Sequence, residues 1–139
     1  MTFQEKSAIV MTGALLLVYG SYFWVVLRWM SVSPVDEIAY QPLMIVAIVP
    51  LVLLATLSHI VLAIINPKEA RAYDERDRAI TIRAEQISGY VLAVGVFVGL
   101  VLAMGEIPHF YIANSLLLAW VLAEITDRVT KIVLYRRGA

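Results

Sequence analysis

The side chains equipped for chemistry fall in two places. His59 and Glu124 stand inside otherwise apolar stretches, and Asp74-Glu75-Arg76-Asp77-Arg78 lies between two such stretches. An imidazole and a carboxylate at similar depth could pass a proton or share a hydrogen bond, and an ionisable group inside an apolar span is a functional candidate by default. Three carboxylates within four residues could hold a divalent cation, but hard cations need several oxygens converging on one point. On a helix Asp74, Glu75 and Asp77 diverge, and Arg76 and Arg78 among them oppose a cation. No metal or cofactor is expected. Two readings of the run stay open: a solvated, salt-bridged helix start, or a docking surface for a cytoplasmic protein or partner subunit.

Other chemistries are thinly provided for. The 139 residues include no cysteine, so thiolate nucleophiles and thiolate metal sites are excluded. The two histidines, His59 and His109, form no His-Glu-x-x-His helix, and neither a phosphate-binding glycine loop nor a nucleophile elbow occurs. The chain is therefore not expected to be an enzyme. Formal net charge is zero, and the acids and bases of the 74–78 run nearly balance, so direct nucleic-acid binding is not expected.

The elements that must position these groups follow from composition. Apolar residues make up 61% of the chain and charged ones 16%, where soluble domains carry roughly 45–50% and about 25%. The excess points to a lipid bilayer as solvent. About 20 apolar residues cross the hydrocarbon as a helix, and four stretches qualify: 8–27, 41–65, 86–104 and 109–126. The first is too long for the apolar region of a secretion signal. Strands are excluded because the runs do not alternate and an open strand in lipid leaves backbone groups unsatisfied. The expectation is an all-α integral membrane four-helix bundle made of two hairpins, one domain over 1–139, with a central loop 66–85 and a tail 127–139.

Orientation follows from Lys and Arg placement. With both termini on one side, that side receives ten of the eleven Lys and Arg residues and the other only Arg28. Both ends and the central loop are thus expected in the cytoplasm, in an inner membrane. Trp24, Trp29, Tyr40, Phe110 and Tyr111 then suit an outer aromatic belt.

Spacing adds detail. Asp74 opens a helix in which Ile80, Ala84, Ile87 and Val91 share one apolar stripe. Gly95, Gly99 and Ala103 are four apart, a series that lets helices approach closely within the bundle or between subunits. Pro50 should bend the second span. Near the end of the fourth, Glu124–Arg128 and Asp127–Lys131 are i, i+4 pairs of favourable polarity. Glu124 lies close to the depth of His59, so an intramembrane polar cluster of the two is a candidate, with Glu85 or Arg83 as a third member.

The run 74–78, with Ile80, Arg83-Ala84, Ile112-Ala113-Asn114, Leu118-Ala119, Glu124 and the terminal Leu134-Tyr135-Arg136-Arg137-Gly138, resembles a family of small uncharacterised prokaryotic four-helix membrane proteins. These carry an Asp-Glu-Arg-acidic motif before the third span. The resemblance covers mainly 74–138. It implies a four-helix membrane protein without enzymatic activity and, since such proteins are encoded beside small helix-turn-helix regulators, a signalling or regulator-tethering role.

The leading expectation is a non-enzymatic inner-membrane protein, oligomeric and dimeric, offering residues 68–85 and 127–137 to a cytoplasmic regulatory partner. The alternative is a small dimeric proton-coupled transporter, although 8–27 holds no acid and Glu124 lies near the edge of its span. A lipid- or isoprenoid-processing enzyme using Mg²⁺ at Asp74, Glu75 and Asp77 lacks a second acidic motif.

Overall fold

The computed structural model describes the backbone of residues 3–65 and 75–137, and within these all side chains except 3–8, 10, 51, 54, 55 and 57–65. The described residues form an all-α protein with four long helices: α1 (Phe3–Met30), α2 (Tyr40–Ile65), α3 (Glu75–Met104) and α4 (His109–Arg137). A single 3-10 turn, Val35–Glu37, follows Pro34 in the first connection. Over the described residues α1, α3 and α4 are long and apolar enough to cross a membrane. In α2 the described apolar stretch is Tyr40–Pro50, and the helix itself continues through Pro50 to Ile65.

Local signals account for the helix ends. Glu75 and Asp77 in the first turn of α3 face the positive end of its dipole, and Arg136 and Arg137 occupy the last turn of α4. The turn between α3 and α4 closes with two reversed bonds: Glu106 N–H donates to Ala103 O at 3.1 Å, and Ile107 N–H to Leu102 O at 3.1 Å. That geometry needs a left-handed residue. Glu106 supplies it at φ 54°, although Gly105 is its neighbour.

Packing runs in the order α3, α4, α1, α2. Leu15, Tyr19, Tyr22 and Val26 form one buried stripe of α1, spaced 4, 3 and 4. It meets Leu117 and Val121 of α4, together with Ile38, Tyr40, Ala47 and Phe110. Tyr40 and Phe110 are buried, not surface belt residues: their rings meet edge-on at 5.1 Å and close the end of the core. Trp24, Trp29 and Tyr111 are exposed.

Helix α3 stands outside this core and joins the bundle through small residues on a second face of α4, where Ala119 and Ala123 are buried. A Cβ placed on Gly95 would overlap the Ala119 Cβ, whereas one on Gly99 would come within 2.6 Å of the Leu116 Cδ2. Gly95 and Gly99 thus turn toward α4, while Ala103 is exposed. A methyl group at Gly89 would meet nothing within 4 Å.

These contacts rank three substitutions. Gly95→Ala forces two backbones apart and should lower stability by about 1–3 kcal/mol. Gly99→Ala meets only the movable end of Leu116 and should cost less. Gly89→Ala should be neutral or stabilising by up to about 1 kcal/mol, through helix propensity. Thermal unfolding of the three purified variants in one detergent checks the order.

Candidate functional site

Among the described residues, long-range polar contacts are few. At the end of the bundle holding the α3–α4 turn, the Tyr22 hydroxyl donates to Asn114 Oδ1 at 2.9 Å, and Asn114 Nδ2 donates to Phe110 O at 2.8 Å. Tyr22 is 2% exposed, so this bond satisfies a hydroxyl with no access to solvent. It ties α1 to α4. At the opposite, charged end, the Tyr135 hydroxyl donates to Asp77 Oδ1 at 2.9 Å and ties α4 to α3.

Between these ties lies a mixed-charge cleft of about 280 Å³ on the α3–α4 seam. Glu85, Ser88, Gly89 and Leu92 line it from α3. From α4 come Trp120, Ala123, Glu124, Asp127, Arg128 and Lys131. The last four pair along their own helix: Arg128 Nη2 lies 3.4 Å from Glu124 Oε2, and Lys131 Nζ donates to Asp127 Oδ2 at 2.8 Å. Arg128 Nε lies a further 3.9 Å from Asp127 Oδ2. The i, i+4 spacing of both pairs produces this. Two buried atoms stay without a hydrogen bond among the described residues, the acceptor Asp127 Oδ1 and the donor Arg128 Nε. Trp120 forms the apolar wall and meets Tyr19 of α1 edge-on at 6.5 Å between ring centres.

The residues singled out in the sequence are placed as follows. Glu124 is in the cleft with Glu85. The His59 side chain and all of Asp74 lie outside the described residues. Glu75, Arg76 and Arg78 are exposed on the first turn of α3, whereas Asp77 is half-buried under Tyr135. The neighbours Ile80 and Ala84 are buried at 3% and 0% exposure, so this charged stretch is packed along one side. No group of three His, Asp or Glu side chains among the described residues could hold a metal ion.

Asn114, Tyr22 and Tyr135 carry the long-range polar contacts without having been chosen from sequence. The signal available was a lone amide inside an apolar run, which in a helical bundle seeks a hydroxyl or carbonyl. Its partner, 92 residues away, had no local signature.

Comparison of the chain with family models, curated proteins and solved structures yields no match. What the geometry defines is a class, an all-helical protein with helices fit to span a membrane and a charged cleft at one end.

The Tyr22–Asn114 bond makes a quantitative prediction. Asn114→Leu strands a buried hydroxyl and should destabilise by about 1–3 kcal/mol. Tyr22→Phe should cost about 1 kcal/mol. The double variant should be less damaged than the two losses added together, as a double-mutant cycle of denaturation midpoints would read out.

Proposed function

We propose that this protein is a non-enzymatic membrane protein whose α3–α4 hairpin extends past the bilayer as a rigid, charged docking element for a regulatory partner in the cytoplasm. The observation that carries the reading is the packing of the charged ends of α3 and α4 against one another. Ile80 and Ala84 are buried, and Tyr135 bonds Asp77, while Arg78 and Arg83 face outward. From Glu75 to Glu85, at 1.5 Å per residue, this piece extends about 16 Å beyond the apolar part of α3. Together with residues 127–137 it bears seven basic side chains against four acidic ones. A partner with an acidic face is complementary to it.

A bilayer accounts for the rest of the surface. Leu17, Val94, Phe97 and Met104 are 72%, 66%, 67% and 85% exposed, and apolar surface on this scale needs an apolar cover. The Lys and Arg asymmetry then sets the charged end inside the cell. A homodimer would use a face other than Gly95 and Gly99, since both turn toward α4. Proton-coupled transport is less well supported, because residues 8–27 hold no acid and Glu124 lies toward the charged end of α4.

With no native cysteine, single cysteines at Val32 and Arg78 test the placement directly. In intact cells an impermeant maleimide should label position 32 and spare position 78 until the membrane is opened. A photo-crosslinker at position 78 should capture a protein partner that one at position 32 does not, with capture reduced by Arg83→Glu. Labelling of position 78 from outside, or equal capture from both positions, would refute the reading.

A further inference from the structure

We infer that the apolar groove along the α3–α4 seam, on the side away from the charged cleft, seats a membrane-spanning helix that anchors the partner proposed above and continues into an acidic cytoplasmic segment. This rests on the docking reading and the bilayer placement given there. The groove holds about 470 Å³, with Val91, Val94 and Val98 on one wall and Leu118 and Leu122 on the other. Gly95 and Ala119 line it between these walls, and residues this small leave depth for the side chains of a further helix. The Ser115 hydroxyl on the same lining is turned to Ile112 O at 2.8 Å, so it adds little polarity.

What marks the occupant as protein is that the apolar surface does not stop with the bilayer. Seven and eleven residues on from Leu122, Val129 and Val133 stay on the same side of α4 and are 44% and 38% exposed. Between them Thr126 donates its hydroxyl to Leu122 O at 2.7 Å. Val133 lies about 16 Å beyond Leu122, past the charged level at which acyl chains end. Lipid can cover Leu118 and Leu122 but not these two valines, whereas a helix laid along the groove covers all four. On α3 the same side runs from Val94 through Tyr90 and Ile87 to Arg83, which is exposed. The antiparallel register that sets Gly95 against Ala119 and Asp77 against Tyr135 brings Arg83 level with Val129 and Val133. The segment that covers them must therefore place an acid among apolar residues.

Charge argues against a second copy of this chain as that occupant. A two-fold axis along the bilayer normal keeps every residue at its own depth, so Arg83, and Arg136 one turn beyond Val133, would face their own counterparts. The acids near that level are placed elsewhere: Asp77 beneath Tyr135, and Glu85, Glu124 and Asp127 in the other cleft. Like charges brought together across an interface oppose association.

The test measures energy transfer in phosphatidylcholine bicelles between the full-length protein, labelled through Val32→Cys, and synthetic peptides. One peptide is a leucine-alanine spanning helix followed by a helical segment bearing glutamates, and a second carries lysines in their place. A third is the glutamate segment without the spanning helix. The glutamate peptide should bind roughly threefold to tenfold more tightly than the lysine peptide, as one or two exposed charge pairs allow. Adding Arg83→Glu should invert that order, and adding Val98→Trp, which fills the groove, should weaken both. Equal binding of the two spanning peptides without either further change overturns the inference and needs neither variant to fold. Binding of the third peptide as tight as the first overturns the membrane-helix assignment. A disulfide dimer formed by Val129→Cys in oxidised membranes overturns it in favour of a second copy. Capture from position 78 together with equal binding of the spanning peptides defeats this inference alone, whereas absence of capture there defeats the docking reading.

Discussion

The close approach of α3 to α4 is the constraint from which the remaining architecture follows. Helices normally lie 8–10 Å apart, and small residues at the contact shorten that distance. Gly95 against Ala119 is such a contact, with no room for a methyl group on the glycine side. Two clefts lie along this seam. The largely apolar one lies beside Tyr90, Val94, Val98 and Leu118, and the mixed-charge one beside Glu85, Glu124 and Lys131. Farther along, at the charged end, Ile80, Ala84 and the Tyr135–Asp77 bond hold the helices together. The seam is thus tight in its middle and tied at its charged end, and the cleft lies between.

The two sides of α4 do different work. Toward α1 it presents Phe110, Leu117 and Val121, large side chains that fill a core with Tyr19 and Tyr22. Toward α3 it presents Ala119 and Ala123. Burying large groups gains more from apolar contact, and small groups allow nearer backbones and more dispersion contact between helices. Buried polar groups are confined to positions where a partner is secured, as with Asn114, which accepts from Tyr22 and donates to its own helix. An amide left unpaired there would cost more than the bond contributes.

How much of this was legible in the sequence depended on the distance over which each signal acts. Helix positions and their charged ends came through, because length, acidic first turns and basic last turns are local. The pairs Glu124–Arg128 and Asp127–Lys131 were also legible, since i, i+4 spacing alone brings their charges together. The series Gly95, Gly99, Ala103 announced close approach but not its target; only the fold places Ala119 and Leu116 opposite the two glycines. Tyr22–Asn114 and Tyr135–Asp77 join residues 92 and 58 positions apart, and no periodicity encodes such a pairing. The belt assignment of Tyr40 and Phe110 missed because an aromatic residue at a helix start has the same signature whether it faces the surface or a neighbouring ring.

The i, i+4 pairing also explains why the cleft is polar without being closed. Glu124 and Asp127 could have reached across to α3, but α3 offers Glu85 and Ser88 at that level, a carboxylate and a hydroxyl and no cation. The arginines of α3, Arg76, Arg78 and Arg83, are exposed and do not line the cleft. The acids of α4 therefore take their counter-charges from their own helix one turn on, which lowers the cost of holding them where apolar side chains begin. Each guanidinium or ammonium serves one carboxylate oxygen well, leaving donors and acceptors over. Asp127 Oδ1 and Arg128 Nε are what remains after that arithmetic, and their opposite sign follows from pairing an acid with a base along a single helix.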